Sequence, residues 1–133
     1  MRALLLVLLG LVVGAVGATM IGNALRLRDA YPRGVMVVMQ HHLVATRKML
    51  ADPACKASKI QAQLARLDAV DSDIPSAFGA DSGPLDPGFA KAAKHLQQAV
   101  TAARAVSAAD CEAMAAAVSA IAQRCDDCHR QYR

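Results

Sequence analysis

The sequence predicts an all-α protein, an antiparallel four-helix bundle that follows an N-terminal apolar helix. Apolar residues recur at helical spacing through most of the chain, and strand-like alternation of apolar and polar residues does not occur. Short connections between long amphipathic helices favour an up-down-up-down order. We therefore expect four helices after the apolar segment, at about residues 31–51, 53–71, 87–106 and 108–132.

Local signals mark the starts of the later helices. Asp52 and Asp86 each precede a proline, and this pair suits the N-cap and the first position of a helix. A four-residue stretch that starts at Ser107 resembles a capping box. Between the second and third helices, residues 75–88 (PSAFGADSGPLDPG) are expected to form the one long loop.

The first segment is more apolar than the rest of the chain. No charged residue lies between Arg2 and Arg26. About 20 apolar residues can span a bilayer, whereas the apolar core of a secretory signal peptide is shorter. We expect residues 1–24 to be a signal peptide or a membrane anchor, and we favour an inner-membrane anchor through residues 3–22. In either case the bundle domain, residues 25–133, lies in the periplasm.

The composition favours a bound cofactor and excludes nucleic acid as a partner. Aromatic residues make up 3% of the chain and tryptophan is absent, so a core built from protein alone would lack bulk. A large planar cofactor would explain this shortage, and an alanine-rich bundle is the alternative. The net charge of +4 is mild, and the charges are interspersed rather than gathered into a basic patch.

The chain ends in RCDDCHRQYR, which carries the strongest functional motif. Cys125, Cys128 and His129 form the pattern Cys-x-x-Cys-His, by which c-type haem is attached. Two thioethers would hold the porphyrin, and the adjacent imidazole would ligate the iron. This attachment takes place outside the cytoplasm, in agreement with an exported domain.

A zinc site and a thioredoxin-like redox pair are two other uses of the cysteines, and both are less favoured. Cys111 and Cys125 lie fourteen positions apart on one helix, about 21 Å, so they cannot share a zinc ion. A zinc site on Cys125, Cys128 and His129 would need a fourth ligand from the first helix. A thioredoxin-like redox pair is disfavoured because a helix C-terminus opposes thiolate formation.

Three segments resemble those of a known family. CDDCHRQYR resembles the closing Cys-x-x-Cys-His-x-x-(Tyr/Phe)-Arg of cytochrome c′ and its low-spin relatives, IPSAFG resembles their segment between the second and third helices, and YPRGVMVVMQHH resembles the start of their first helix. The resemblance runs from about Tyr31 to Arg133. It implies thioethers at Cys125 and Cys128, a proximal iron ligand at His129, and Arg133 near the proximal face of the haem.

The same resemblance places Met36 on the distal side of the haem. If its sulfur binds iron, the haem is six-coordinate and suited to electron transfer; if it only packs there, the iron can bind NO or CO. An antiparallel bundle puts Met36 level with His129, whereas His42 lies six residues deeper, about 9 Å along the axis. We expect one of His41 and His42 to be exposed and the other to pack between helices.

We therefore expect a periplasmic c-type cytochrome, not an enzyme, which carries single electrons through one covalently attached haem. The alternative is a five-coordinate cytochrome c′ that binds NO or CO. A zinc-binding or purely structural bundle is less favoured. The expected partners are redox proteins, and a homodimer is left open.

The two remaining cysteines, Cys55 and Cys111, lie near the starts of the second and fourth helices. In an up-down-up-down bundle these starts share the end opposite the haem, and an oxidising compartment permits a disulfide. We therefore favour a Cys55–Cys111 bridge. The alternative is two unpaired thiols, because diagonal helices could hold the Cα atoms more than about 7 Å apart.

Overall fold

The protein is all-α, as predicted. The computed structural model describes residues 2–28, 30–79, 83–106 and 110–132, and within these ranges every regular element is helical. The helices are α1 (Arg2–Arg28), α2 (Ala30–Leu50), α3 (Ala57–Asp71), α4 (Ile74–Gly79), α5 (Pro87–Ala105) and α6 (Cys111–Tyr132).

The chain divides into two compact units, one ending at Arg33 and the other comprising Gly34–Arg133. The first unit contains α1, whose segment Leu6–Leu25 is long and apolar enough to cross a membrane. None of that segment is buried. Some signal sequences near the N-terminus are also this long and apolar.

The second unit is a helix bundle with one apolar core. Its helices bury residues spaced three or four apart, because that spacing puts side chains on one face. α5 packs against α3, α4 and α6. The most completely buried apolar side chains are those of Ile60, Leu64, Leu67, Ile74, Val100, Met114, Val118 and Ile121.

The predicted start of α3 at Asp52 is wrong. Oδ1 of Asp52 accepts a hydrogen bond from the N–H of Ala54 at 2.9 Å, and the carbonyl of Asp52 accepts one from Cys55 at 2.9 Å. These bonds close a turn, which is the other common use of an aspartate before proline. α3 begins only at Ala57, after Cys55 has adopted a left-handed φ of 31°.

Of the other two predicted helix starts, the one at Asp86 is confirmed. Asp86 does cap α5, since its Oδ1 accepts a hydrogen bond from the N–H of Phe89 at 2.9 Å. For α6 the cap is Asp110, whose Oδ1 accepts from Ala113 at 2.8 Å. The capping box predicted at Ser107 lies outside the described residues.

The predicted long loop is partly helical. α4 occupies Ile74–Gly79, and the N–H of Ala77 donates to the carbonyl of Asp73 at 2.9 Å. Ile74 and Ala77 are both buried, so this helical turn adds two apolar side chains to the core. The sequence does not predict this helix, because the prolines and glycines within and after it are typical of loops.

The Cys55–Cys111 disulfide is confirmed. It joins the turn before α3 to the first residue of α6, with 6.5 Å between the two Cα atoms. This separation lies in the usual range for a disulfide. The starts of α3 and α6 therefore meet at one end of the bundle.

Candidate haem site

Cys125, Cys128 and His129 lie in the last two turns of α6. Both cysteines are unbridged, half-buried and packed against the apolar core, whereas His129 is exposed. The two thiols therefore face the interior of the bundle.

The environment of these thiols disfavours ionisation. Burial raises the pKa of Cys125 to about 11, and the charges of Asp126 and Asp71 act in the same direction. Burial also raises the pKa of Cys128. A redox pair or a zinc site needs thiolates, which here are costly to form. Neutral sulfur in thioether bonds suits this environment.

A protein-only metal site is likewise unsupported. In the described part of the chain, no three histidine, cysteine or acidic side chains are grouped so that they could hold a metal ion. The zinc alternative would need such a group around Cys125, Cys128 and His129.

Asp71 is a polar group in the core close to Cys125. It is the last residue of α3, and only 1% of it is exposed. Neither carboxylate oxygen has a hydrogen-bond partner. Burial, together with the charge of Asp68, raises the pKa of Asp71 from 3.8 to about 7, and the charge of Asp71 in turn influences Cys125.

The site fits a haem. Buried polar groups normally have partners, so the unpartnered carboxyl of Asp71 marks a region that the protein side chains alone leave incomplete. That region adjoins Cys125, one of the two inward-facing cysteines. Cys125 and Cys128 would hold the porphyrin, and His129 would reach the iron.

α2 contributes the residues considered for the distal side. Met36 is half-buried and packs against the core next to buried Val35 and Met39. His41 is exposed. His42 is half-buried, and its Nδ1 lies 2.7 Å from Oε1 of Gln63 on α3. The expectation that one histidine is exposed and the other packs between helices is thus confirmed.

An aromatic cluster also packs against the end of α6. The ring of Phe89 lies edge-on to Tyr132, with centroids 5.4 Å apart, and 5.1 Å from the ring of Phe78. The hydroxyl of Tyr132 donates to Oδ1 of Asp86 at 3.3 Å. These contacts tie the end of α6 to the start of α5, so they help to fix the helix turns that carry the cysteines.

Neither the hydrogen bond between Tyr132 and Asp86 nor the burial of Asp71 was predicted from the sequence. A signal for Asp71 was present, because Ile60, Leu64, Leu67 and Asp71 follow one another in steps of three and four. That spacing continues the buried face of α3 to its last residue. Arg133, predicted near the proximal haem face, lies outside the described residues.

Comparison with known proteins agrees with this site. A family model described as Cytochrome C' matches residues 30–133. No curated protein and no solved structure shows a significant match. Members of the matched family carry covalently bound c-type haem and are typically periplasmic. The match includes the whole bundle and its closing Cys-x-x-Cys-His motif, and this chain is therefore a haem-binding c-type cytochrome of the Cytochrome C' family.

Proposed function

We propose that this cytochrome carries single electrons between partner proteins in the periplasm, through one haem, and transforms no substrate itself. The observation that carries the proposal is the placement of the motif: Cys125 and Cys128 are both half-buried and pack against the apolar core. When bound, the haem supplies a redox-active iron.

The residues of the chain have distinct roles in this proposal. Cys125 and Cys128 would hold the porphyrin through thioether bonds to α6. His129 follows Cys128 directly on the same helix, so its imidazole would ligate the iron. The surrounding apolar core excludes water and lowers the local dielectric, and such burial tunes the reduction potential of haem.

Met36 is proposed as the sixth ligand. Its side chain is half-buried and packs against the core, and a thioether bound to haem iron raises the reduction potential. A six-coordinate iron would have no open position for a gas. Binding of NO or CO is the competing function if Met36 packs without ligating.

The spectrum of the purified holoprotein tests this assignment. The unmutated protein should be low-spin in both oxidation states and should not change when CO is added to the reduced form. Met36→Leu keeps the volume but removes the sulfur, so it should give a high-spin spectrum that responds to CO. Met49→Leu is the matched control, because Met49 also packs against the core. If the unmutated protein is high-spin and binds CO, the proposal of electron transfer fails and gas binding becomes the proposed function.

We further propose that α1 anchors the cytochrome to the inner membrane. The support is the exposed apolar segment Leu6–Leu25, which is long enough to span a bilayer. The intact mass of the mature protein tests this, since an anchor remains in that mass and a signal peptide does not. Release of the cytochrome into the soluble periplasmic fraction would refute the anchor and leave the haem assignment unchanged.

A further inference from the structure

Asp71 occupies an unusual position for a carboxyl group. It ends the buried face of α3, one turn after fully buried Leu67, and is 1% exposed. Both of its oxygens are without a hydrogen-bond partner. An aspartate that only capped or solubilised the helix end would face solvent, as Ser72 and Asp73 do immediately afterwards.

The charges around Asp71 leave it uncompensated. On its own helix the nearest acid, Asp68, is partly exposed and forms an ion pair with Arg104 of α5, which satisfies Asp68 rather than Asp71. On α6, the titratable group that interacts electrostatically with Asp71 is the thiol of Cys125. Among the described residues, no cation forms an ion pair with Asp71, so its proton affinity depends on burial and on nearby negative charge.

A haem attached at Cys125 would lie close to this carboxyl. A thioether at Cys125 would fix one side of the porphyrin at the residue with which Asp71 interacts. In a low-dielectric interior, a change of one unit of charge at the iron is felt strongly by a nearby ionisable group. Reduction of the iron adds one negative charge, which favours the protonated form of a neighbouring carboxyl.

We propose that Asp71 is a proton-binding site of this cytochrome that couples electron uptake to proton uptake, an inference that rests on the proposed electron-carrying function. When a reduced partner protein donates one electron, the carboxylate of Asp71 takes one proton from solvent. When the electron passes on, the carboxylic acid returns that proton. The net charge of the site is then the same in both oxidation states.

Linkage makes this coupling measurable. If reduction strengthens proton binding at Asp71, protonation must favour reduction to the same degree. The reduction equilibrium should therefore become less favourable as pH rises through the range in which Asp71 loses its proton. For one proton per electron the change approaches, and cannot exceed, about tenfold per pH unit.

The experiment is an optical redox titration of the haem-loaded protein at a series of pH values around neutrality. The wild type should show a pH-dependent midpoint potential, whereas Asp71→Asn should be flat over the same range. Asp68→Asn is the matched control, one turn earlier on the same helix, and should keep a pH-dependent midpoint potential. The pH range of that dependence should lie lower than in the wild type, because the charge of Asp68 raises the pKa of Asp71. Because histidines also titrate near neutral pH, the comparison of variants, not the wild-type slope alone, carries the test.

Redox-induced infrared difference spectra supply a second observation. On reduction, the wild type should gain the carbonyl band of a protonated carboxyl, and Asp71→Asn should not. If Asp71→Asn does not accumulate, Asp71→Glu replaces it, and the pH range of the slope should move because the carboxyl has moved. If the midpoint potential of Asp71→Glu changes over the same pH range as that of the wild type, the inference is overturned.

A flat wild-type profile, or a slope that persists in Asp71→Asn, would likewise overturn the role of Asp71 while a redox-active haem remains. Absence of covalent haem from the purified protein would instead remove the proposed function itself. The two failures are thus distinguished by the same preparation.

Discussion

Removing the Cys55–Cys111 bridge should greatly destabilise the bundle. The double variant Cys55→Ser/Cys111→Ser deletes a cross-link between residues 56 positions apart. In the chain-entropy description, a closed loop of that length restricts the unfolded chain enough to contribute about 4 kcal/mol at 25 °C. The variant should therefore lose roughly that much of its free energy of unfolding.

Urea unfolding followed by far-ultraviolet circular dichroism measures the loss. The wild type treated with a thiol reductant should match the double variant, because the reductant cleaves the disulfide but leaves haem thioethers intact. Both samples should be compared with the haem iron fully reduced, so that the oxidation state of the haem does not contribute to the difference.

Two results would refute this reasoning. A loss below about 1 kcal/mol would show that the cross-link does not restrict the unfolded chain as the entropy description requires. Two reactive thiols per holoprotein under denaturing, non-reducing conditions would show that Cys55 and Cys111 are not joined.

Three further predictions concern the haem end of the bundle. A Cβ at Gly88 would collide with the hydroxyl of Tyr132, so Gly88→Ala should lower the free energy of unfolding in urea by about 1 kcal/mol. This loss should be smaller in a Tyr132→Phe background, and an equal loss there would contradict the contact. Burial raises the pKa of Asp71 from 3.8 to about 7, so its ionisation penalises the folded state increasingly as pH rises between those values. Asp71→Asn should match the wild type near pH 4 and exceed its stability above pH 7 by up to roughly 4 kcal/mol in urea unfolding; equal stability at both pH values would contradict this. His129→Ala should lose the low-spin spectrum and unfold at lower urea concentration, since binding to the folded state stabilises it; an unchanged spectrum would exclude His129 as the iron ligand.

The elements that were predicted correctly depend on local chemistry. The apolar spacing of α5 and α6 fixes their buried faces, and Asp86 caps α5 through a hydrogen bond within its own turn. The disulfide was predictable from chain order, because alternating helix directions bring the starts of α3 and α6 to one end. Each of these features follows from neighbours in sequence or from topology alone.

The errors arose where one local pattern permits two structures. An aspartate before a proline can cap a helix or close a turn, and at Asp52 the hydrogen bond to Ala54 selects the turn. The six residues of α4 carry too short a pattern to identify as a helix, and the burial of Ile74 and Ala77 in the core stabilises them there.

Asp71 was missed for a different reason. Charged residues are almost never fully buried without a partner. The polar side chain of Asp71 therefore predicts that the end of α3 faces solvent, although the spacing of the buried residues of α3 continues to this position. Only the packing of the bundle shows that this carboxyl lies in the core beside Cys125. The role of Met36 stays a prediction, because ligation depends on a sulfur–iron distance that residue spacing does not determine.

The mass of the denatured, reduced protein tests whether one haem is covalently attached to the chain. The chain should carry the added mass of one haem after acid-acetone extraction, and its alkaline pyridine haemochrome spectrum should be that of a haem with two thioethers. Cys125→Ala should shift that spectrum to the single-thioether form. A chain that loses all its haem to acid acetone and has the mass of the bare polypeptide would contradict the account.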